Sequence, residues 1–228
     1  MAARIFFITG TDTSVGKTLL AVLLTRDLRA SGVCVAALKP ICAGDRHDAR
    51  ALRSAANEAL SLNEVNPWHF RAPLAPLLAA RMDRKRVRLR EVVAHIRCVG
   101  QQFDVVVVEG AGGLLSPLGE GFDSRELIVA LRASPIVVCP NRLGAVNQAL
   151  LAYDALPRAM SARATVVLMS PKEPDFASRT NPKLLAQILG ARRVQVLPWL
   201  DGPQSMDKVV RRPDICRALA RLCQQVRL

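Results

Sequence analysis

Arg4-Ile-Phe-Phe-Ile8, then Gly10-Thr-Asp-Thr-Ser-Val-Gly16-Lys17-Thr18, decide the fold. The first stretch reads as a buried strand and the second as a phosphate loop opening a helix. Backbone N–H groups of such a loop, together with the helix N-terminus, cradle phosphate oxygens. The Lys17 ammonium reaches the terminal phosphates, and the Thr18 hydroxyl is suited to Mg²⁺. The strict pattern has four residues between its glycines. Gly10 and Gly16 enclose five, which puts Thr11 at the usual first-glycine place. Leu20, Leu23, Leu24 and Leu28 keep helical spacing over Lys17–Arg29, and Gly32 supplies the stop.

The alternation of strand and helix continues outward. Strands are expected at Val33–Leu38, Phe103–Val108, Ile136–Cys139, Thr165–Met169 and Val194–Leu197. Helices are expected at Arg46–Leu60, Glu91–Gln102, Gly144–Met160, Asn181–Leu189 and Asp214–Gln225. Asn66-Pro67, Pro73 and Pro76 mark a loop. The pattern predicts a single α/β domain over residues 1–228. It has three layers: a mostly parallel central sheet, as in nucleotide-hydrolysing phosphate-loop folds, with helices on both faces. Ligands of such sheets bind beyond the carboxyl ends of the strands.

Several strand ends carry chemistry-bearing residues. Lys39-Pro40 follows the second strand, and Lys39 points toward the crevice of Lys17 or is a plain exposed lysine. Asp48 can complete a Mg²⁺ shell, with Asp45 as its rival for that role and an exposed helix-start carboxylate as the plainer alternative. Four valines run into Glu109-Gly-Ala-Gly-Gly113, so a buried strand delivers an acid beside the metal. The glycines let backbone approach a substrate. Asn141 to Asn147 opens a helix whose start either holds an anion or is ordinarily capped. His69 reads as structural.

The 228 residues are 50% hydrophobic, which provides a sizeable core and excludes global disorder. No apolar run has the ~20 residues of a membrane span. Met1-Ala-Ala-Arg4 runs directly into a strand without a signal-peptide cleavage region, so a cytoplasmic protein is expected. The net charge of +13 would suit a polyanion binder. However, 26 of the 32 basic residues are arginine, spread along the chain. The densest run, Arg81 to Arg90, lacks aromatic interleaving and reads as a solvated helix face. None of the six cysteines forms a C-x-x-C pair. Cys34 and Cys139 are expected in the core, and all six as reduced thiols.

Taken together, these residues resemble dethiobiotin synthetases. The matching landmarks are Gly10 to Thr18, Lys39-Pro40, Asn66-Pro-Trp68, Phe70, Glu109 to Gly113, Ser116-Pro-Leu118, Leu143-Gly144, Asn147 and Pro198-Trp-Leu200. They run in family order over most of the chain. The resemblance implies an ATP-dependent cyclo-ligase that closes the ureido ring of dethiobiotin from 7,8-diaminononanoate and CO₂, with Mg²⁺. It implies catalytic roles for Lys39, Lys17 and Thr13. Nucleotide would be held by Thr13, Ser14, Val15, Gly16, Lys17, Thr18, Ser170, Pro198, Trp199 and Leu200. Substrate would meet Thr13, Lys39, Ala43 and Gly112. The metal would meet Thr18, Asp48 and Glu109. Family members are homodimers, with the substrate's tail carboxylate at the partner's helix start, here Gly144, Ala145, Val146 and Asn147. No nucleic-acid or membrane partner is implied. This chain departs from the family at three places: Ser14 replaces a glutamate of several relatives, Ala43 a substrate-contacting serine, and Met169-Ser170 an Ala-Asn pair whose Asn reads adenine. The rival class is a partitioning or septum-positioning ATPase that binds DNA or membrane. Its extra lysine would fall at Asp12.

Overall fold

The computed structural model describes residues 3–200 and 209–224. In chain order, β1 (Arg4–Gly10), α1 (Lys17–Ala30), β2 (Val35–Leu38) and β3 (Ile41–Ala43) come first. Then come α2 (His47–Ala55), α3 (Leu62–Val65), β4 (Trp68–Phe70), α4 (Pro76–Met82), α5 (Leu89–Gly100) and β5 (Val105–Glu109). They are followed by β6 (Pro117–Gly119), β7 (Phe122–Asp123), α6 (Ser124–Leu131), β8 (Ser134–Pro140), α7 (Ala145–Asp154) and α8 (Arg158–Ser161). Last are β9 (Thr165–Met169), α9 (Phe176–Leu189), a 3₁₀ turn at Ala191–Arg193, β10 (Val194–Leu197) and α10 (Pro213–Gln224).

The six strands expected from the sequence form one sheet in the order β10-β9-β8-β1-β5-β2. Every pairing in it is parallel. β1 lies between β5 and β8, with Phe7 level with Val108 on one side and Pro135 on the other. β5 is buried at every position, because both faces of a parallel sheet are covered. The step from β1 to β2 runs one way across the sheet. The steps to β5, β8, β9 and β10 run the other way. Right-handed crossovers therefore put α1 on one face and α5, α6, α7 and α9 on the opposite face. Contacts agree: α5 packs on α6, α7 on α9, and α1 on α10. Leu20, Leu23 and Leu24 turn the apolar stripe of α1 fully into the core.

Several boundaries depart from the sequence reading, each for a physical reason. The Arg46–Leu60 helix stops at Ala55, and Asn57 and Glu58 take left-handed φ values of 56°. The loop around Asn66, Pro73 and Pro76 contains α3, the short strand β4 paired to β3, and α4. Pro157 divides the Gly144–Met160 helix into α7 and α8. The run Arg81 to Arg90 is not a helix face. α4 ends at Met82, and the mostly exposed residues beyond it are held by the buried Val87. Cys34 is exposed and precedes β2, whereas Cys139 is buried as expected.

The largest departure is α9, which begins five residues before Asn181 and carries Pro182 in its interior. Asp175 caps its start, accepting from the Ser178 N–H at 2.7 Å. Proline removes the N–H that would bond to the carbonyl four residues back. Here that carbonyl is Ser178 O, and the buried Asn141 side chain donates to it at 2.7 Å. A tertiary hydrogen bond replaces the missing helical one.

Candidate active site

β1 leads into the phosphate loop, pinned by the Thr11 N–H donating to Val138 O at 2.9 Å. Ser14 and Gly16 take left-handed φ values of 57° and 99° before α1 begins. Gly16 suits this position because its φ of 99° strains any residue with a Cβ, which would also have to displace the Met169 Cε 2.8 Å away. Lys17 is buried and donates to Asp12 O at 2.6 Å. Burial, helped by the neighbouring Lys39 charge, lowers its pKa to about 8.

The centre of the site is a cluster of opposite charges below the loop. Lys39 Nζ lies 2.6 Å from Glu109 Oε1, 3.0 Å from Gly110 O and 3.2 Å from Asp48 Oδ2. Thr18 Oγ1 donates to Glu109 Oε1 at 2.9 Å. Burial alone would lower the Lys39 pKa, but the two carboxylates outweigh it and raise the value, so Lys39 stays charged. Burial pushes the Glu109 carboxyl up, against the opposing pull of Lys39. For Asp48 burial pushes the pKa up, but the Lys39 ammonium, a hydrogen bond from Thr18 and the Lys17 charge together outweigh it and hold the pKa below the usual carboxylate value.

The backbone around Lys39 is equally fixed. Its N–H donates to Val65 O, and its carbonyl accepts from the buried Asn66 side chain at 2.7 Å. Arg46, just before α2, donates to Asn66 Oδ1 at 3.0 Å and to the carbonyls of Leu62 and Asn66. One arginine thus ties the element that carries Asp48 to the loop that fixes Lys39. Nothing in the sequence singled it out among 26 arginines.

A cleft of about 720 Å³ opens on this cluster. It brings together Thr13, Ser14, Gly16, Lys17, Thr18, Lys39, Ala43, Asp48, Glu109 and Gly112. Gly112 has φ 69°, and Ser116 Oγ holds its loop by accepting the Gly113 N–H at 2.9 Å. Pro73, Leu74, Ala75 and Pro76 form an apolar wall that the sequence reading assigned only to a loop. Asp45 is not part of the cluster. Its side chain is 68% exposed and accepts from the His47 N–H. His69 is structural, with Nε2 2.7 Å from Gly44 O.

The remaining expected residues do not line this cleft. Val15 is buried under the loop. Ser170 follows β9, and its N–H donates to Leu197 O at 2.9 Å. Pro198, Trp199 and Leu200 follow β10, and Trp199 is largely exposed. Gly144 and Asn147 are exposed at the start of α7, Val146 is half-buried, and Ala145 is fully buried. A second groove of about 520 Å³ runs from Gly10–Asp12 past Gly113–Pro117 to Gln148 and Leu151 of α7.

A divalent ion fits the donor set. Glu109 Oε2 is buried without a hydrogen-bond partner, beside the Thr18 hydroxyl and Asp48. These are hard oxygen donors, the kind Mg²⁺ takes alongside phosphates and water.

An AAA domain family model matches residues 4–206. The fold is shared with solved structures of low identity. One is the MinC:MinD cell division protein complex of Aquifex aeolicus, with TM-score 0.59 and 14% identity over 99% of this chain and 96% of that one. Another is pNOB8 ParA bound to nonspecific DNA, with TM-score 0.58 and 13% identity over 99% of both. Sequence relatives are much nearer. The ATP-dependent dethiobiotin synthetase BioD of Anaeromyxobacter sp. (strain K) is 38% identical over 86% of this chain and 90% of its own length. That of Bacillus subtilis (strain 168) is 33% identical over 86% and 88%. With similarity of this extent, and with the phosphate loop, Lys39 and Glu109 to Gly112 meeting in one cleft, the chain belongs to the ATP-dependent dethiobiotin synthetase family.

Proposed function

We propose that this cleft makes dethiobiotin from 7,8-diaminononanoate, CO₂ and ATP. The observation that carries the reading is the placement of Lys39 between the phosphate loop and the glycine-rich loop after β5. One amine of the substrate adds to CO₂ and loses a proton, giving a carbamate. A carbamate oxygen takes the γ-phosphoryl group of ATP and releases ADP. The second amine attacks the carbamoyl carbon, expels phosphate and closes the cyclic urea. Lys17 and the loop N–H groups offset charge on the phosphates. Lys39 holds the carbamate and the transferred phosphoryl group. Thr13 and Gly112 face the reacting end of the substrate. Thr18, Asp48 and Glu109 would hold Mg²⁺, which neutralises phosphate charge when bound.

Ser170, Pro198, Trp199 and Leu200 lie on the side of the loop where Met169 covers Gly16, and we assign them to the base. Ser170 offers a single hydroxyl there. We further propose a homodimer in which α7 of one protomer completes the partner's substrate site. Leu143, Leu151 and Leu115 support this reading. They are apolar and 80%, 65% and 53% exposed; Leu151 and Leu115 line the α7 groove and Leu143 precedes the helix. Among the described residues no helix is long and apolar enough to cross a membrane. None of the six cysteines is in a disulfide, which suits a reducing cytoplasm, and we read small molecules as the partners.

Purified protein supplied with ATP and bicarbonate should release phosphate only when the diamine is added. Lys17→Ala should lower kcat by at least tenfold, about 1.4 kcal/mol of transition-state stabilisation. Diamine-independent release by the wild type would contradict the reading. Asp48→Ala should raise the Mg²⁺ concentration for half activity by at least roughly tenfold, since loss of even an outer-shell partner of a metal ligand commonly costs that much affinity, while Asp45→Ala leaves it unchanged. Sedimentation should give a dimer, and Asn147→Leu should raise the diamine KM without changing ATP binding. A monomer, or an unchanged diamine KM, would remove α7 from the substrate site.

A further inference from the structure

Lys39 stands where a bound cation would stand. Its side chain is 5% exposed, and its ammonium is shared between Glu109 Oε1 and Asp48 Oδ2, the two carboxylates read here as metal ligands. Thr18, the third proposed ligand, donates to the same Glu109 oxygen. An ammonium and a divalent ion compete for such a pair, because both draw on the same lone pairs and repel one another at close range in a poorly solvated site. Lys39 also lines the cleft, so a rotation of its long side chain carries the charge from the carboxylates toward Thr13 and Gly112.

We propose that Lys39 is the internal counter-cation of the metal site, and that its ammonium leaves Glu109 and Asp48 for the cleft when the divalent ion binds. The ion's arrival then presents Lys39 to the anionic substrate. Lys39 would therefore guard against an empty reaction: without metal its charge is spent on protein carboxylates. With metal it is released to the carbamate. The inference rests on the reading of Glu109 and Asp48 as metal ligands.

The test uses the intact protein, Mn²⁺ alone as the probe, and no nucleotide. The chain has six lysines, so reductive methylation followed by peptide mass spectrometry resolves each one. Mn²⁺ should raise the labelling rate of Lys39 at least fivefold, with the exposed Lys85 and Lys183 unchanged. Mn²⁺ binding, followed by electron paramagnetic resonance, should be at least tenfold tighter in Lys39→Met than in the wild type. It should be lost in Glu109→Gln. Unchanged Lys39 labelling at Mn²⁺ concentrations where the resonance shows the ion bound would overturn the exchange. So would a Lys39→Met protein that binds Mn²⁺ no tighter than wild type, including no binding by either. Full Mn²⁺ binding by Glu109→Gln would instead overturn the metal-site reading beneath it. The labelling arm needs only the wild type, so it stands even where Lys39→Met folds poorly.

Discussion

A carboxylate at the end of a strand buried at every position is the constraint on which the rest depends. Glu109 closes a run of four valines, and its side chain is 1% exposed. A buried charge of this kind is tolerated only with a partner, and removing one member of such a pair commonly costs about 3–5 kcal/mol. Lys39 is that partner. It can reach Glu109 because β2 pairs directly with β5, Leu38 level with Val108. Thr18 reaches the same oxygen because β1 pairs with β5 on the other side, Ile8 level with Glu109, and α1 starts from the loop after β1. The parallel register of three neighbouring strands thus places the lysine, the hydroxyl and the acid within hydrogen-bond distance.

The same geometry links stability to function. The cluster that satisfies Glu109 also leaves one of its oxygens without a partner, and it holds Lys39 on the wall of the cleft. A site satisfied in every bond would have no capacity left for an ion. Arg46 and Asn66 take up the positioning, so the reacting side chains need not hold their own backbone. The apolar Pro73 to Pro76 wall lines the same cleft with no charged group of its own.

The sequence was legible wherever local chemistry and fold agree. The phosphate loop, the six parallel strands and the residues Lys17, Thr18, Lys39 and Glu109 are each marked by type and position within a few residues of a strand end. Asp48 and Asp45 could not be separated in that way, because both lie within reach along the chain. Only the turn of α2 shows one facing Lys39 and the other facing solvent. The true start of α9 at Phe176 is not legible locally, because a proline at 182 argues against a helix running through it. The bond that overrides that signal comes from Asn141, some forty residues away in sequence. Arg46 was hidden by composition, since one functional arginine among many has no distinguishing pattern. The apolar cleft wall was hidden because its proline signals were correct for a turn and silent about which surface the turn covers.

The central claim is that the phosphoryl group of ATP passes to a carbamate oxygen in this cleft and leaves with that oxygen. C¹⁸O₂ supplied together with ATP and the diamine tests it most directly, in a reaction quenched before the CO₂ exchanges its oxygens with water and with phosphate and dethiobiotin both read by mass spectrometry. Each phosphate should carry one ¹⁸O, and the ureido carbonyl should carry the other. Unlabelled phosphate released alongside dethiobiotin whose ureido carbonyl does carry ¹⁸O would mean that ATP is cleaved by water rather than by the carbamate, and would contradict the account.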